Sequence, residues 1–580
     1  MKSFPQMMKA LALAALLSCA CSPTPSEQPS GNDGLKSPAN LSVVSMDPHS
    51  ATLRWDAVDG AASYNWKLLE GSREASRGSE TATSVSVSGL KASTAYAFSV
   101  CAVNADVKSD FCNLSFTTPS EESPAPDIAD GQCIDAPLRL DFSSAPVLGN
   151  SGMIRVFTEN GSEVDRIDLA DLASVTIRED GCMIPLQQIT DASSFSTFMD
   201  AIHSGSRYRI EHYTPLRIKG NTLEIKLHND VLEFGKTYYV TVDESVAGKA
   251  VASGEWTFTV KSAPTASTLR VSQDGSADFC TVQGALTYAS SLGKAAEVTV
   301  EIAAGTYHEM LFLRDKNNVT IKGASRSSTV ISYPNNESYC AGSGGSATSR
   351  PAKGSAVGKS GGRGLALVES CDNLRIENLT IENTFNQEKG QAETIYFNSS
   401  GSLAIEDCNL LSWQDTFLTK GRVWVHNSLI AGHVDFIWGY PEVCLFEDCE
   451  IRSRAAGYII QARVQPAGAK GFVFLNCKLT ADETVKNGSV YLGRSAGQAD
   501  CYDHVVYVNC SMSPAIAASG WYTNPSPNPS AATATAGWRE FGSTDGSGNA
   551  LSVGARASCS RQLSASEAEA YASRAAVLGW

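Results

Sequence analysis

Three stretches, Leu403-Ala-Ile-Glu-Asp-Cys408, Val423-Trp-Val-His-Asn-Ser428 and Cys444-Leu-Phe-Glu-Asp-Cys449, share one pattern. An apolar residue alternates twice with a variable one, an Asn or Asp follows, and a small or apolar residue ends the unit. The pattern also occurs as Leu374-Arg-Ile-Glu-Asn-Leu379, Phe472-Val-Phe-Leu-Asn-Cys477 and Val505-Val-Tyr-Val-Asn-Cys510. Its third positions, Ile376, Ile405, Val425, Phe446, Phe474 and Tyr507, lie 20 to 33 residues apart. Alternation of this kind marks a short strand. A unit of this length repeated in one frame means that each copy covers its neighbour's apolar face. No helical period separates the copies, which disfavours a mixed α/β sheet and predicts a right-handed parallel β-helix with one coil per repeat. The Asn/Asp column then marks a bend. Cys408, Cys449, Cys477 and Cys510 stack inward as small apolar residues rather than as reactive thiols.

That frame places two carboxylates. Asp415 lies ten positions after Ile405, and Asp435 lies ten positions after Val425. The two therefore hold equivalent places in consecutive coils, and Trp413 and His433 are matched in the same way. Adjacent strands lie about 4.8 Å apart, so the two carboxyl groups can come within a few ångströms on one face. Neighbouring carboxylates resist double ionisation, so one pKa rises while the other group stays charged. An acid beside an anion is what covalent acyl transfer requires. The anion attacks a carbonyl carbon; the acid protonates the leaving alkoxide, then acts as base for water. Spacing alone equally allows two solvated turn aspartates or a Ca²⁺ site.

The flanking residues separate these readings. Trp413-Gln414-Asp415-Thr416-Phe417 and Gly432-His433-Val434-Asp435-Phe436-Ile437-Trp438-Gly439 resemble the two central motifs of pectin methylesterases. Val271-Ser-Gln-Asp-Gly275 through Phe279 and Val282-Gln283 looks like that family's opening segment. Gly305-Thr306-Tyr307-His308-Glu309 resembles its Gly-x-Tyr-x-Glu, Gln391-Ala392 its Gln-Ala motif, and Tyr491-Leu492-Gly493-Arg494 its Leu-Gly-Arg. The resemblance covers about 268–580. It implies Asp435 as nucleophile, Asp415 as acid/base, Gln391 and Gln414 as donors to the tetrahedral oxyanion, and Arg494 as the partner that aims Asp435. It implies no cofactor and no metal. The family's sugar-stacking Trp is missing after Arg494-Ser495-Ala496, and Trp438 stands where Phe is usual. Trp438, Trp413, Trp521 and Phe436 are the residues expected to meet the sugar chain instead. The resemblance assigns no role to His433.

The rest of the chain reads as delivery and spacing. Lys2 and Lys9 precede a short apolar run, Leu11 to Leu17, too short to span a bilayer. Leu16-Leu17-Ser18-Cys19 resembles a bacterial lipoprotein cleavage box, which makes 1–19 a signal peptide and Cys19 the lipidation site. Cys21 is a second candidate, and a plain signal peptide is the alternative. Residues 20–36 suit a flexible tether. Residues 37–118 alternate as strands, and Leu90 six positions before Tyr96 resembles a fibronectin type III domain with its tyrosine corner. Residues 131–262, with Leu138-Arg-Leu-Asp-Phe142, Tyr238-Tyr-Val-Thr-Val242 and Trp256-Thr-Phe-Thr-Val260, resemble an immunoglobulin-like sandwich. The β-helix occupies 268–580. Of the 16 cysteines, Cys101 with Cys112 and Cys133 with Cys182 are pairings that spacing permits and does not decide.

A net charge of -15 argues against nucleic acid as a partner, since that requires a basic footprint. The expected activity is hydrolysis of the methyl esters of homogalacturonan to pectate and methanol. The chain is expected to be a monomer, outside the cytoplasm, held to a membrane by its lipid as an outer-membrane or cell-surface lipoprotein, or periplasmic. Three other readings compete: an acyl thioesterase on the same fold, a Ca²⁺-dependent pectate lyase, and a non-catalytic surface glycan-binding protein. Gln391, Gln414 and Arg494 suit ester hydrolysis better than the lyase, which needs carboxylates for metal and a basic residue to take a proton.

Overall fold

A computed structural model describes residues 35–579, apart from 47–48, 72, 92–93, 106, 119–130, 173–197, 337–338, 340–341, 358–361 and 386–389. The chain divides into two compact units, Met1–Asp127 and Ile128–Trp580. Cys19, Cys21 and Cys182 lie outside the described residues.

The first unit is a β-sandwich. One sheet holds Ser42–Met46, Ser50–Arg54 and Ser84–Ser88; the other holds Arg73–Glu80, Ser63–Glu70, Ala95–Asn104, Val107–Lys108 and Cys112–Thr117. Alternation along these strands puts Leu53, Trp55, Leu68, Phe98 and Val100 in one core. The Tyr96 hydroxyl accepts the Lys91 N–H at 2.9 Å, which is the tyrosine corner the Leu90–Tyr96 spacing pointed to. The Cys101–Cys112 pairing is not formed. Cys112 stands opposite Val100 on the core face, so Cys101, one residue further, points to the other face of the sheet.

The second unit begins with two antiparallel sheets. Leu138–Asp141, Thr222–Ile225 and Leu216–Lys219 face Glu163–Asp168, Met153–Thr158, Thr237–Val242 and Val251–Thr259 across a core of Leu140, Ile154, Val156, Leu223 and Val240. The hairpin Met199–Ser204/Arg207–His212 leaves this sandwich and lies on the β-helix, where Ile202 joins the coil core. Arg209, fully buried on the hairpin, donates to the carbonyls of Ser343 (2.6 Å), Leu311 (2.8 Å), Leu365 (2.7 Å) and Gly364.

From Thr268–Val271 to Arg561–Gln562, 24 strands form one continuous parallel ladder wound into coils. The repeat frame is its register. Ile376 stands opposite Ile405, Ile405 opposite Val425, Val425 opposite Phe446, Phe446 opposite Phe474, and Phe474 opposite Tyr507. The aromatic end of this column stacks, Phe446 on Phe474 at 4.8 Å and Phe474 on Tyr507 at 4.4 Å. Each fully buried side chain of this kind contributes about 1.5–3 kcal/mol. Asn378, Asp407, Asn427, Asp448, Asn476 and Asn509 all adopt left-handed backbone, φ between 44° and 56°. Asn and Asp tolerate that conformation best among residues with a side chain, so the column turns every coil at one place.

The residue after each bend points inward. Cys408, Cys449, Cys477 and Cys510 are buried, and each thiol donates to a carbonyl one coil earlier: Ile376, Val425, Phe446 and Phe474 respectively. Burial pushes the Cys408 thiol up to about 12. These sulfurs therefore fill space.

The helix Val282–Ser291 covers the first coil, and the Glu309 carboxylate at its N-terminus accepts the N–H groups of Val282 (2.9 Å) and Gln283 (2.7 Å). That contact is the physical content of the Gly305–Glu309 motif: a carboxylate satisfies donors that the helix start leaves open.

Candidate active site

Leu411 stands opposite Ala431 and Phe417 opposite Ile437, so Asp415 and Asp435 fall in register on adjacent coils. The Asp415 N–H donates to Val434 O at 3.1 Å, and the His433 N–H to Trp413 O at 3.0 Å. Next to them, the Ala392 N–H donates to Gln414 O at 3.0 Å, which adds Gln391 from the preceding coil. Three coils thus bring Gln391, Gln414, Asp415 and Asp435 together. Both aspartates are left-handed, with φ 63° at Asp415 and 48° at Asp435. A non-glycine residue held there costs on the order of 1–3 kcal/mol, strain that clusters at working sites. Gly432 makes the close approach possible: a Cβ there would lie 2.3 Å from Phe436 Cβ and 2.6 Å from Trp413 O.

The two carboxyl groups have different surroundings. Asp435 is gripped by Arg494, whose Nε donates to Oδ1 at 2.8 Å and to Oδ2 at 3.1 Å while Nη2 bonds Oδ2. Gln461 Nε2 adds a bond to Oδ2 at 2.8 Å. Gln461 is itself oriented, because its Oε1 accepts from Arg463 Nε at 2.8 Å, which turns its NH₂ toward Asp435. Asp415 is almost fully buried, with Arg363 Nη1 3.3 Å from its Oδ2. Burial, then the Glu393 carboxylate, push the Asp415 carboxyl up to about 8; Arg363 opposes them and Asp435 reinforces them. Burial and the neighbouring anions thus favour the protonated form of Asp415, while a guanidinium closes on Asp435.

Arg363, Glu393, Gln461 and Arg463 were not singled out from the sequence. Arg363 Nη2 lies 2.9 Å from Glu393, and its Nη1 bonds Gln391 Oε1. This occupies the Gln391 oxygen and leaves its NH₂ as the group able to donate. Gly364 and Leu365, two of the carbonyls held by Arg209, follow Arg363 directly, so the hairpin braces the segment that carries it.

The four expected sugar contacts part company. Trp413 is half-buried, with the Arg454 guanidinium 3.8 Å from its ring centroid. Trp438 lies between Arg363 (5.0 Å) and Arg463 (4.7 Å) and is 5% exposed. Phe436 is fully buried in the coil interior beside Ile437, where the left-handed Asp435 and a register shift interrupt the strand's alternation. Trp521 is also interior, stacked on Trp538 at 5.1 Å, and neither of these two is placed to meet a substrate.

The parallel β-helix thus presents two aspartates on adjacent coils, Asp435 held by Arg494 and Asp415 buried beside Arg363, and the family its sequence matches places it among the carboxylic ester hydrolases. The pectinesterase family model matches residues 268–579, more than half of the chain, and the fibronectin type III model matches 36–115. Pectinesterase 31 of Arabidopsis thaliana is 32% identical over 259 residues, 44% of this chain and 76% of that protein. Pectinesterase/pectinesterase inhibitor U1 of Solanum lycopersicum is 28% identical over 264 residues, 43% of this chain and 41% of that protein. Among solved structures, the pectin methylesterase from Yersinia enterocolitica is 25% identical, with a TM-score of 0.41 over 52% of this chain and 99% of that one. The chain belongs to the pectinesterase family.

Proposed function

We propose that this chain is a pectin methylesterase that hydrolyses the methyl esters of homogalacturonan through Asp435 as nucleophile and Asp415 as acid and base. The observation that carries the reading is the register of these two aspartates on adjacent coils with Arg494 closed on one of them. Asp435 Oδ2 accepts from both Gln461 and Arg494, whereas Oδ1 accepts from Arg494 Nε alone, so Oδ1 is the oxygen with a lone pair to spare. Oδ1 attacks the ester carbonyl, and the NH₂ groups of Gln391 and Gln414 donate to the oxyanion that develops. Asp415 gives its proton to the departing methoxide. It then takes a proton from the water that cleaves the acyl-enzyme, restoring both carboxyl groups. Arg363 touches Asp415 and Gln391 and acts as a positioning residue.

The deciding experiment supplies highly methylated homogalacturonan and follows methanol alongside absorbance of unsaturated uronides. Methanol without unsaturation is the expected result; unsaturation without methanol would select a lyase, and neither product would leave the acyl thioesterase and the binding protein, which release of thiol from an acyl thioester then separates. Within this mechanism, Gln414→Ala should lower kcat by ~10²–10³ with KM little changed, the loss typical of one oxyanion donor. A fall in kcat below threefold would remove Gln414 from that role.

The pH dependence follows from Asp415. The group must enter the reaction protonated, so kcat/KM should fall as pH rises through about 8. Glu393→Gln removes an anion that favours the protonated form, so this alkaline limb should move to lower pH. An unmoved limb would detach Glu393 from the titration.

The residues of the amino-terminal segment support a place outside the cytoplasm, with Cys19 as the lipidated residue that holds the chain to a membrane. Among the described residues no helix is long and apolar enough to cross a membrane. With a net charge of -15, binding should weaken as the product becomes anionic, and salt should relieve this.

A further inference from the structure

The cysteines outside the coil interior include one pair that two parts of the second unit bring together. Cys133 opens the sandwich and Cys280 precedes the helix that covers the first coil; with Asp135 they form a group whose ligand atoms all lie within 4.8 Å of one another. Both cysteines are buried and unbridged in the structure. The segments around them are firmly docked. Asp135 accepts the N–H groups of Cys280 (2.8 Å) and Thr281 (2.7 Å) and the Thr281 hydroxyl (2.6 Å). Lys261 Nζ donates to the carbonyls of Gly275 (2.9 Å) and Ala277 (2.8 Å) and lies 3.6 Å from Cys133 Sγ. We propose that Cys133 and Cys280 form a disulfide that ties the second sandwich to the first coil of the β-helix.

Three features favour a disulfide over a metal ion here. An ammonium group beside the sulfur opposes a divalent cation. The Asp135 oxygens already accept three donors. The bond Cys280 gives Cys133, helped by Lys261 against the opposing effects of burial and Asp135, lowers the Cys133 thiol, whereas the same contact raises Cys280. Cys133 is therefore the sulfur of the pair that gives up its proton more readily, and the ionised sulfur is the one that attacks in exchange. The coil thiols differ: burial holds the Cys477 thiol well above its ordinary range.

A cavity of about 670 Å³ between sandwich and β-helix is lined by Ile134, Asp135, Phe279 and Cys280, which gives a small oxidant access. With oxidised glutathione as that oxidant, Cys133 loses its proton to solvent and its sulfur attacks the glutathione disulfide, releasing one glutathione thiolate. Cys280 then gives its proton to that departing thiolate, and its sulfur attacks Cys133 Sγ and releases the second. Two electrons pass from the cysteine pair to the oxidant, which leaves as two thiols.

The test equilibrates the purified full-length chain in a glutathione redox buffer, quenches with an alkylating reagent and maps peptides by mass spectrometry. The buffer sets the redox poise, so the result does not depend on where the cell places the chain. A peptide containing Cys133 joined to one containing Cys280 is expected. Reduction should then lower the thermal midpoint by roughly 2–5 °C and leave the Cys133→Ser/Cys280→Ser variant unmoved. Separate alkylation of both cysteines in oxidised buffer would overturn the proposal. So would Cys133 joined to Cys182, or protection of both thiols by added Zn²⁺ without a cross-link.

Discussion

Asp435→Asn should leave the coils standing and reduce methanol release by roughly 10⁴-fold or more, the order of loss seen when a nucleophile is removed. The substitution keeps the volume of the side chain, and the two groups that grip it can adapt. Arg494 is partly exposed and its guanidinium also lies 4.7 Å from the Tyr458 ring centroid, so it does not become a stranded buried charge. Gln461 Nε2 still finds an amide oxygen to bond. Thermal stability close to that of the parent, together with lost turnover, is therefore the expected pair of results. Arg494→Lys is the companion. A lysine keeps the charge but cannot span Oδ1 and Oδ2 with a planar fork, so kcat should fall while the chain still folds. Activity retained by Asp435→Asn would rule out the assigned nucleophile.

Arg209→Leu should destabilise the second unit by about 3–5 kcal/mol, the cost of breaking a buried charged network, and should lower kcat as well. Arg209 is fully buried and bonds four carbonyls, on Leu311, Ser343, Gly364 and Leu365. Leucine satisfies none of them, and a buried acceptor left open is costly. The catalytic effect has a separate route. Gly364 and Leu365 follow Arg363, which touches Asp415, Gln391 and Glu393. Loosening that segment releases Asp415 from its guanidinium, so the alkaline limb of kcat/KM should move to higher pH, which a purely global loss of stability would not do. Denaturant unfolding and the pH profile measure the two effects independently. A variant as stable as the parent would show that the hairpin does not brace the coils.

Much of this site was legible in the sequence because stacking enforces a frame. Each coil must present the same kind of residue at the same position, so Ile376 through Tyr507 announce one column, and a constant offset carries Asp415 onto Asp435. The missing parts arrive outside the frame. Arg363 sits in a Gly/Ser-rich excursion between the strands Thr329–Tyr333 and Ala366–Glu369, where no repeat fixes the register. Gln461 and Arg463 follow two register shifts, at Gly432/Val434 and Val434/Ile437, so counting from the frame misplaces them. Arg209 comes from the preceding sandwich, and no local pattern connects it to the coils. Phe436 lies within the second of those register shifts, where adjacent Phe436 and Ile437 both turn inward, so counting from the frame does not place it. Trp521 is not placed by the frame either, since only its stacking on Trp538 reveals its side.

The central claim is that one aspartate of the stacked pair keeps its proton at neutral pH. Infrared difference spectra between the parent and Asp415→Asn, taken from mildly acidic to alkaline pH, test it directly. A protonated carboxyl band that the parent keeps at neutral pH, loses through about 8, and that is absent from the variant is expected. A band that disappears near 4, the ordinary range of an aspartate, would contradict the assignment of Asp415 as the acid.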